Sequence, residues 1–65
     1  MWTTYWFEII GEDSDLCGEE FFTELENATT EQHIAYAHEI FPGEEIKCHG
    51  KVSRLLADMM GLDTY

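Results

Sequence analysis

Apolar and polar positions alternate at the start of the chain, shift to a three-to-four-residue period in the middle, and alternate again before a short second helical stretch. "WTTYWFEII", Trp2 to Ile10, is dense in aromatic and β-branched residues and predicts a strand. Its period of two places Tyr5, Phe7 and Ile9 on one face and Trp2, Thr4, Trp6 and Glu8 on the other. "GEDSD", Gly11 to Asp15, is turn chemistry, and a second strand from about Leu16 or Gly18 to Glu26 completes a hairpin. On it Phe21, Thr23 and Leu25 share a face, while Glu20, Glu24 and Glu26 share the opposite one with Phe22. A short helix over residues 19–26 is the competing assignment for this segment.

The period then changes. Thr29 or Thr30 caps a helix; Thr29 with Gln32 three residues on fits a capping box, and Glu31 suits the positive end of the helix dipole. Ile34, Ala37, Ile40 and Phe41 form its apolar stripe, and Pro42-Gly43 stops it. "EEIKCHGKV", residues 44–52, returns to alternation and predicts a third strand, with Ile46 and Cys48, and Val52 at its end, facing inward. Ser53 caps a last short helix through Met60, with Leu56, Met59 and Met60 as its apolar residues and Gly61 as its stop.

The order is therefore ββαβα. A crossover through the first helix makes strand three parallel to strand two. With strand one between them, the expected fold is α+β: a three-stranded antiparallel sheet, one main helix packed on one face, and a short C-terminal helix. The 65 residues make a single small domain, near the lower limit for a core without metal, disulfides or a partner. No repeat, low-complexity tract or linker interrupts it. The N-terminal segment lacks the features of a signal peptide, no apolar run approaches a membrane span, and two cysteines cannot build a disulfide framework. The expectation is a cytoplasmic protein with Cys17 and Cys48 as free thiols.

Charge changes the picture most. Three Lys and Arg face fourteen Asp and Glu, a net charge of −11, and residues 1–46 hold twelve of those acids and no Lys or Arg. Direct binding of DNA, RNA or an anionic membrane is thereby excluded over most of the surface. The carboxylates have two readings. In one they only keep a small domain soluble. In the other they imitate nucleic acid: side chains on one strand face repeat about every 6.6–6.8 Å, comparable to the spacing of phosphates along a strand. Glu20, Glu24 and Glu26 form such a row, with Glu12, Asp13 and Asp15 at the turn beside it. Glu31, Glu39, Glu44 and Glu45 extend the patch. Trp2 and Trp6, on the same face and rimmed by Glu8, Glu20 and Glu24, are candidate partner-binding aromatics unless the last helix or a second copy covers them.

In size, charge and compact α+β pattern the chain resembles the small acidic proteins of bacteriophages and mobile elements, among them nucleic-acid mimics and anti-CRISPR inhibitors. The resemblance rests on overall character and no shared motif, so it implies a class of partner and no site residue. That class is a basic nucleic-acid-binding protein, for instance a CRISPR effector.

Other chemistries find little support. Cys17, Cys48, His33, His38 and His49 have no zinc spacing, and "EDSD" lacks the calcium-loop register. No nucleophile elbow or phosphate loop is present, and so small a domain rarely encloses a catalytic cleft. The expectation is no enzyme, no cofactor and no metal. The function read from the sequence is an acidic inhibitor that presents carboxylates to a basic nucleic-acid-binding groove. The alternative is a small acidic structural or regulatory domain, homodimeric, whose charge only solvates it. Lys47, Lys51 and Arg54 are then free to pair with the protein's own acids or with a second copy.

Overall fold

The computed structural model describes residues 1–65 throughout. Strand β1 (Trp2–Ile9) lies in the middle of a three-stranded sheet, between β2 (Glu20–Glu26) and β3 (Ile46–Val52). Both neighbours run antiparallel to it, so β2 and β3 are parallel to each other, as the crossover through helix α1 (Thr30–Ile40) leads one to expect. A second helix, α2 (Arg54–Met60), follows β3. The ββαβα order and the α+β class are those read from the sequence.

Residues 20–26 pair with β1 as an extended strand, and the helical alternative for 19–26 is overturned. The alternation that buries Phe21 and Thr23 on one side and Phe22 on the other outweighs the helix propensity of the glutamates. The strand starts at Glu20, later than expected. Residues before it fold into consecutive turns instead, with Ser14 N–H donating to Gly11 C=O (3.0 Å), Cys17 to Ser14 (3.1 Å) and Glu19 to Leu16 (2.9 Å).

Helix α1 begins as its cap chemistry dictates. Thr29 accepts from the Gln32 N–H, the Gln32 side chain accepts from the Thr29 N–H, and the helix ends before Pro42. It packs on the face of Tyr5, Phe7, Ile9 and Phe21, with Ala37 buried and Ile34, Phe41, Ile46 and Cys48 around the edge. Its inward stripe differs from the expected one in two respects: His33 is fully buried within it, and Ile40, unlike Ile34 and Phe41, is not packed against the core.

Two expectations about the other face are corrected. Trp6 pairs with Gly50 but Phe7 pairs with Cys48, so β3 carries one extra residue, His49, as a bulge. The bulge reverses the alternation, and Val52 comes opposite Thr4 on the face away from α1. Gly50 adopts φ +108° there, a backbone conformation that a side chain disfavours. Helix α2 is capped by Ser53 and stopped by Gly61 as expected, but its buried residue is Ala57. Leu56 is 43 % and Met59 76 % exposed, so neither forms the inward stripe assigned to them.

Helix α2 leads from the end of β3 across the sheet to the outer edge of β2. There residues 63–65 pair with that strand: Phe22 N–H donates to Asp63 C=O (2.8 Å), Tyr65 N–H to Phe22 C=O (2.9 Å) and Glu24 N–H to Tyr65 C=O (2.9 Å). Arg54 of α2 reaches Glu24, and Thr4 and Phe22, which point away from α1, are 5 % and 0 % exposed. The two helices thus lie on opposite faces of the sheet. The Tyr65 ring meets Phe21 and Phe41 edge-on, closing the α1 side of the core.

Candidate functional site

The carboxylates singled out in the sequence separate into two groups. The first is the row on β2. Register places Glu8 of β1 opposite Glu20 and Thr4 opposite Glu24, all on the face that α2 partly covers. Glu20 accepts from the Trp6 indole N–H at 2.9 Å, and Glu8 is bound to His49 Nε2 at 2.9 Å. The His49 ring stacks on Trp6, centroids 4.3 Å apart and planes at 28°. Glu24 accepts from Thr4 Oγ1 (3.3 Å) and pairs with Arg54, which also reaches Asp58 one turn on at 3.3 Å. Two members of the Glu20–Glu24–Glu26 row therefore have local donors, and Glu26 stands exposed at the strand end. One of the three bases is paired with the protein's own acids.

The second group lies at one end of the molecule. The loop between β1 and β2 and the loop between α1 and β3 are joined there: Ile10 N–H donates to Glu45 C=O at 2.8 Å, and Ser14 Oγ donates to Glu44 Oε2 at 2.7 Å. Ser14 Oγ also accepts from Leu16 N–H at 3.0 Å, which fixes the turn. A Cβ on Gly11 would sit 3.4 Å from the Glu45 Cβ, an ordinary van der Waals contact, so the two loops lie side by side here. The result is a depression of about 300 Å³ lined by Gly11, Glu12, Asp13, Ser14, Gly43, Glu44 and Glu45. Four carboxylates surround it and no basic or apolar side chain does. Asp15, exposed on the same loop, adds a fifth acid nearby. Glu12, Asp13, Glu44 and Glu45, more than thirty positions apart in sequence, are brought together by the fold.

The two tryptophans have different fates. Trp2 is 62 % exposed, whereas Trp6 is half-buried between its carboxylate partner and His49. They do not form one open aromatic pair. Exposed apolar surface appears elsewhere, on α2: Leu55 is 71 % and Met59 76 % exposed, four residues apart on one helix face.

His33, which lacks a metal-ligand spacing in the sequence, has a different role in the fold. It is the one fully buried ionisable side chain, held between Thr3 and Thr23, and burial pulls its pKa below the ordinary histidine value. Its position one turn before Ala37 on the inward stripe was the signal available. Both cysteines are free, Cys17 exposed and Cys48 half-buried at the core edge. No group of three or more His, Cys, Asp or Glu side chains is arranged to hold a metal ion, and no helix is long and apolar enough to cross a membrane. Comparison with protein-family models, curated proteins and solved structures finds no match for this chain.

Proposed function

We propose that the protein is a small binding inhibitor that presents its acidic end to a basic, nucleic-acid-binding groove on another protein and competes there with nucleic acid. The observation that carries this reading is the convergence of two loops that places Glu12, Asp13, Glu44 and Glu45 around one depression, with Asp15 beside it and no Lys or Arg in its lining. An ordinary soluble surface intersperses both signs. A chain with no Lys or Arg before Lys47 creates a one-sign field, which accelerates encounter with a cationic site and weakens steeply with salt. The strand row contributes less than its sequence suggests, because Glu20 and Glu24 are already engaged by Trp6 and Arg54.

Capture from a bacterial lysate tests this. The immobilised protein is loaded at low salt, washed with DNA or RNA, and eluted with a salt gradient. The reading expects a nucleic-acid-binding protein that elutes at moderate salt and is displaced by nucleic acid. A bound protein that nucleic acid leaves in place contradicts it.

A second reading, a self-associating interaction domain whose charge only solvates it, is favoured by the exposed Trp2, Leu55 and Met59. It expects a dimer in sedimentation equilibrium that Leu55→Lys and Met59→Lys dissolve.

A further inference from the structure

His33 projects from α1 into the sheet with no exposed surface. Its Nε2 lies 2.7 Å from Thr3 Oγ1 on β1, and its Nδ1 lies 2.6 Å from Thr23 Oγ1 on β2. One imidazole thus ties the helix to two strands. The ring also stacks on Tyr5, centroids 4.2 Å apart, and the Tyr5 hydroxyl is 2.7 Å from Thr30 Oγ1 in the first turn of the same helix.

The direction of these hydrogen bonds follows from Thr3. In the neutral tautomer that leaves no hydroxyl unpaired, it donates to the Leu25 carbonyl at 3.4 Å and accepts from Nε2–H. Nδ1 is then the acceptor of the neutral ring, and Thr23 donates to it. Every group is satisfied while the chain of donors runs one way, from Thr23 through His33 and Thr3 to Leu25. A proton on Nδ1 reverses the first link. Thr23 must accept, and its own hydroxyl hydrogen loses the acceptor it had, in a place without water.

Nothing nearby compensates the new charge. From β1 the titratable group against the ring is the Tyr5 phenol. From β2 it is none, since Glu20, Glu24 and Glu26 lie on the opposite face from Thr23. From β3, Lys51 stands opposite Tyr5 and brings a like charge, not a compensating one. One turn away along α1 stand Thr29, Thr30, Tyr36 and Ala37, with no carboxylate among them. We propose that His33 is an acid-operated latch: one proton taken up there releases α1 from β1 and β2 and opens the face that α1 covers.

The sign is set by burial, which depresses the pKa of the folded form. The unfolded chain takes up the proton first, near the ordinary value of about 6.5. The latch is therefore fully closed above that pH, and its contribution is lost as the pH falls through the lower folded value. Across the interval the folding equilibrium constant attributable to this one site falls by up to about tenfold per pH unit.

Two measurements on the intact chain test the latch. In the first, NMR follows the imidazole Cε1–H signals of His33, His38 and His49 from pH 7.5 down to pH 4.5. The expected result is that His33 keeps its neutral shift until the signals of α1 and of the strands facing it change together. A His33 that titrates at or above pH 6.5 with those signals undisturbed overturns the proposal. In the second, urea midpoints are compared across the same range for the wild type and His33→Gln. The variant is expected to lose about one proton of pH dependence, and an identical slope in both proteins overturns the proposal. If the variant does not fold, the wild-type titration decides alone.

Discussion

Glu8 and Glu20 face each other across β1 and β2, an arrangement of like charges that destabilises a sheet unless each finds its own donor. Trp6 Nε1 supplies one and His49 the other, both at 2.9 Å. Trp6→Phe keeps an aromatic ring for His49 to stack on but removes the indole donor. It should cost about 1–2 kcal/mol in urea unfolding, and Glu20→Gln in the same background should recover part of that by removing the repulsion. An additive double-mutant cycle would show that the bond contributes nothing. At the helix start, Thr29→Ala removes the acceptor for the Gln32 N–H and should lower stability by about 1 kcal/mol. Phe22 is fully buried by α2's side of the sheet, and Phe22→Ala should cost about 3–5 kcal/mol. A domain of this length has roughly 3–10 kcal/mol in total, so circular dichroism should find that variant largely unfolded or close to it.

Among the elements, those whose limits depend on local chemistry were legible and those set by tertiary contacts were not. The capping box at Thr29 and Gln32, the stop at Pro42-Gly43 and the Ser53 and Gly61 ends of α2 are local, and each lies where the sequence places it. The face that α2 buries depends on a bulge at His49, whose one trace in the sequence is Gly50 inside the strand, and on a crossing that brings residues 63–65 to β2. Phe22, an apolar residue among glutamates on its face of β2, was the trace of that covering helix. The same holds for the candidate site. Glu12, Asp13 and Asp15 are visible as a turn, but their neighbours Glu44 and Glu45 are supplied by the fold. The pairing of residues 63–65 also protects the edge of β2, so deleting those residues should speed hydrogen exchange at the Phe22 and Glu24 amides while leaving β1 amides slow. Unchanged exchange at those two amides would mean that the segment does not hold the strand edge. The other edge, β3, is guarded differently, by exposed Lys47 and Lys51 and by the bulge.

For the whole molecule the dominant quantity is a net charge of −11 on 65 residues. Its sign is relieved only locally: Arg54, 64 % exposed, contributes little through Glu24 or Asp58. Self-repulsion should therefore outweigh ion pairing, and raising NaCl from about 0.01 to about 0.15 M, which shortens the screening length from about 30 to about 8 Å, should raise the melting temperature. A fall would mean that ion pairs matter more than repulsion. A partner that uses the charge would benefit in the opposite sense, binding best at low salt. On the function proposed above, a partner reads the acidic end itself. The most direct measurement compares the wild type with the combined Glu12→Gln, Asp13→Asn, Glu44→Gln and Glu45→Gln variant in the same lysate capture. The amide at position 44 can still accept from Ser14, which preserves the loop contact. Loss of the nucleic-acid-displaceable partner from a variant that melts no lower than the wild type is the result predicted here. Retention of that partner at the same salt would contradict it.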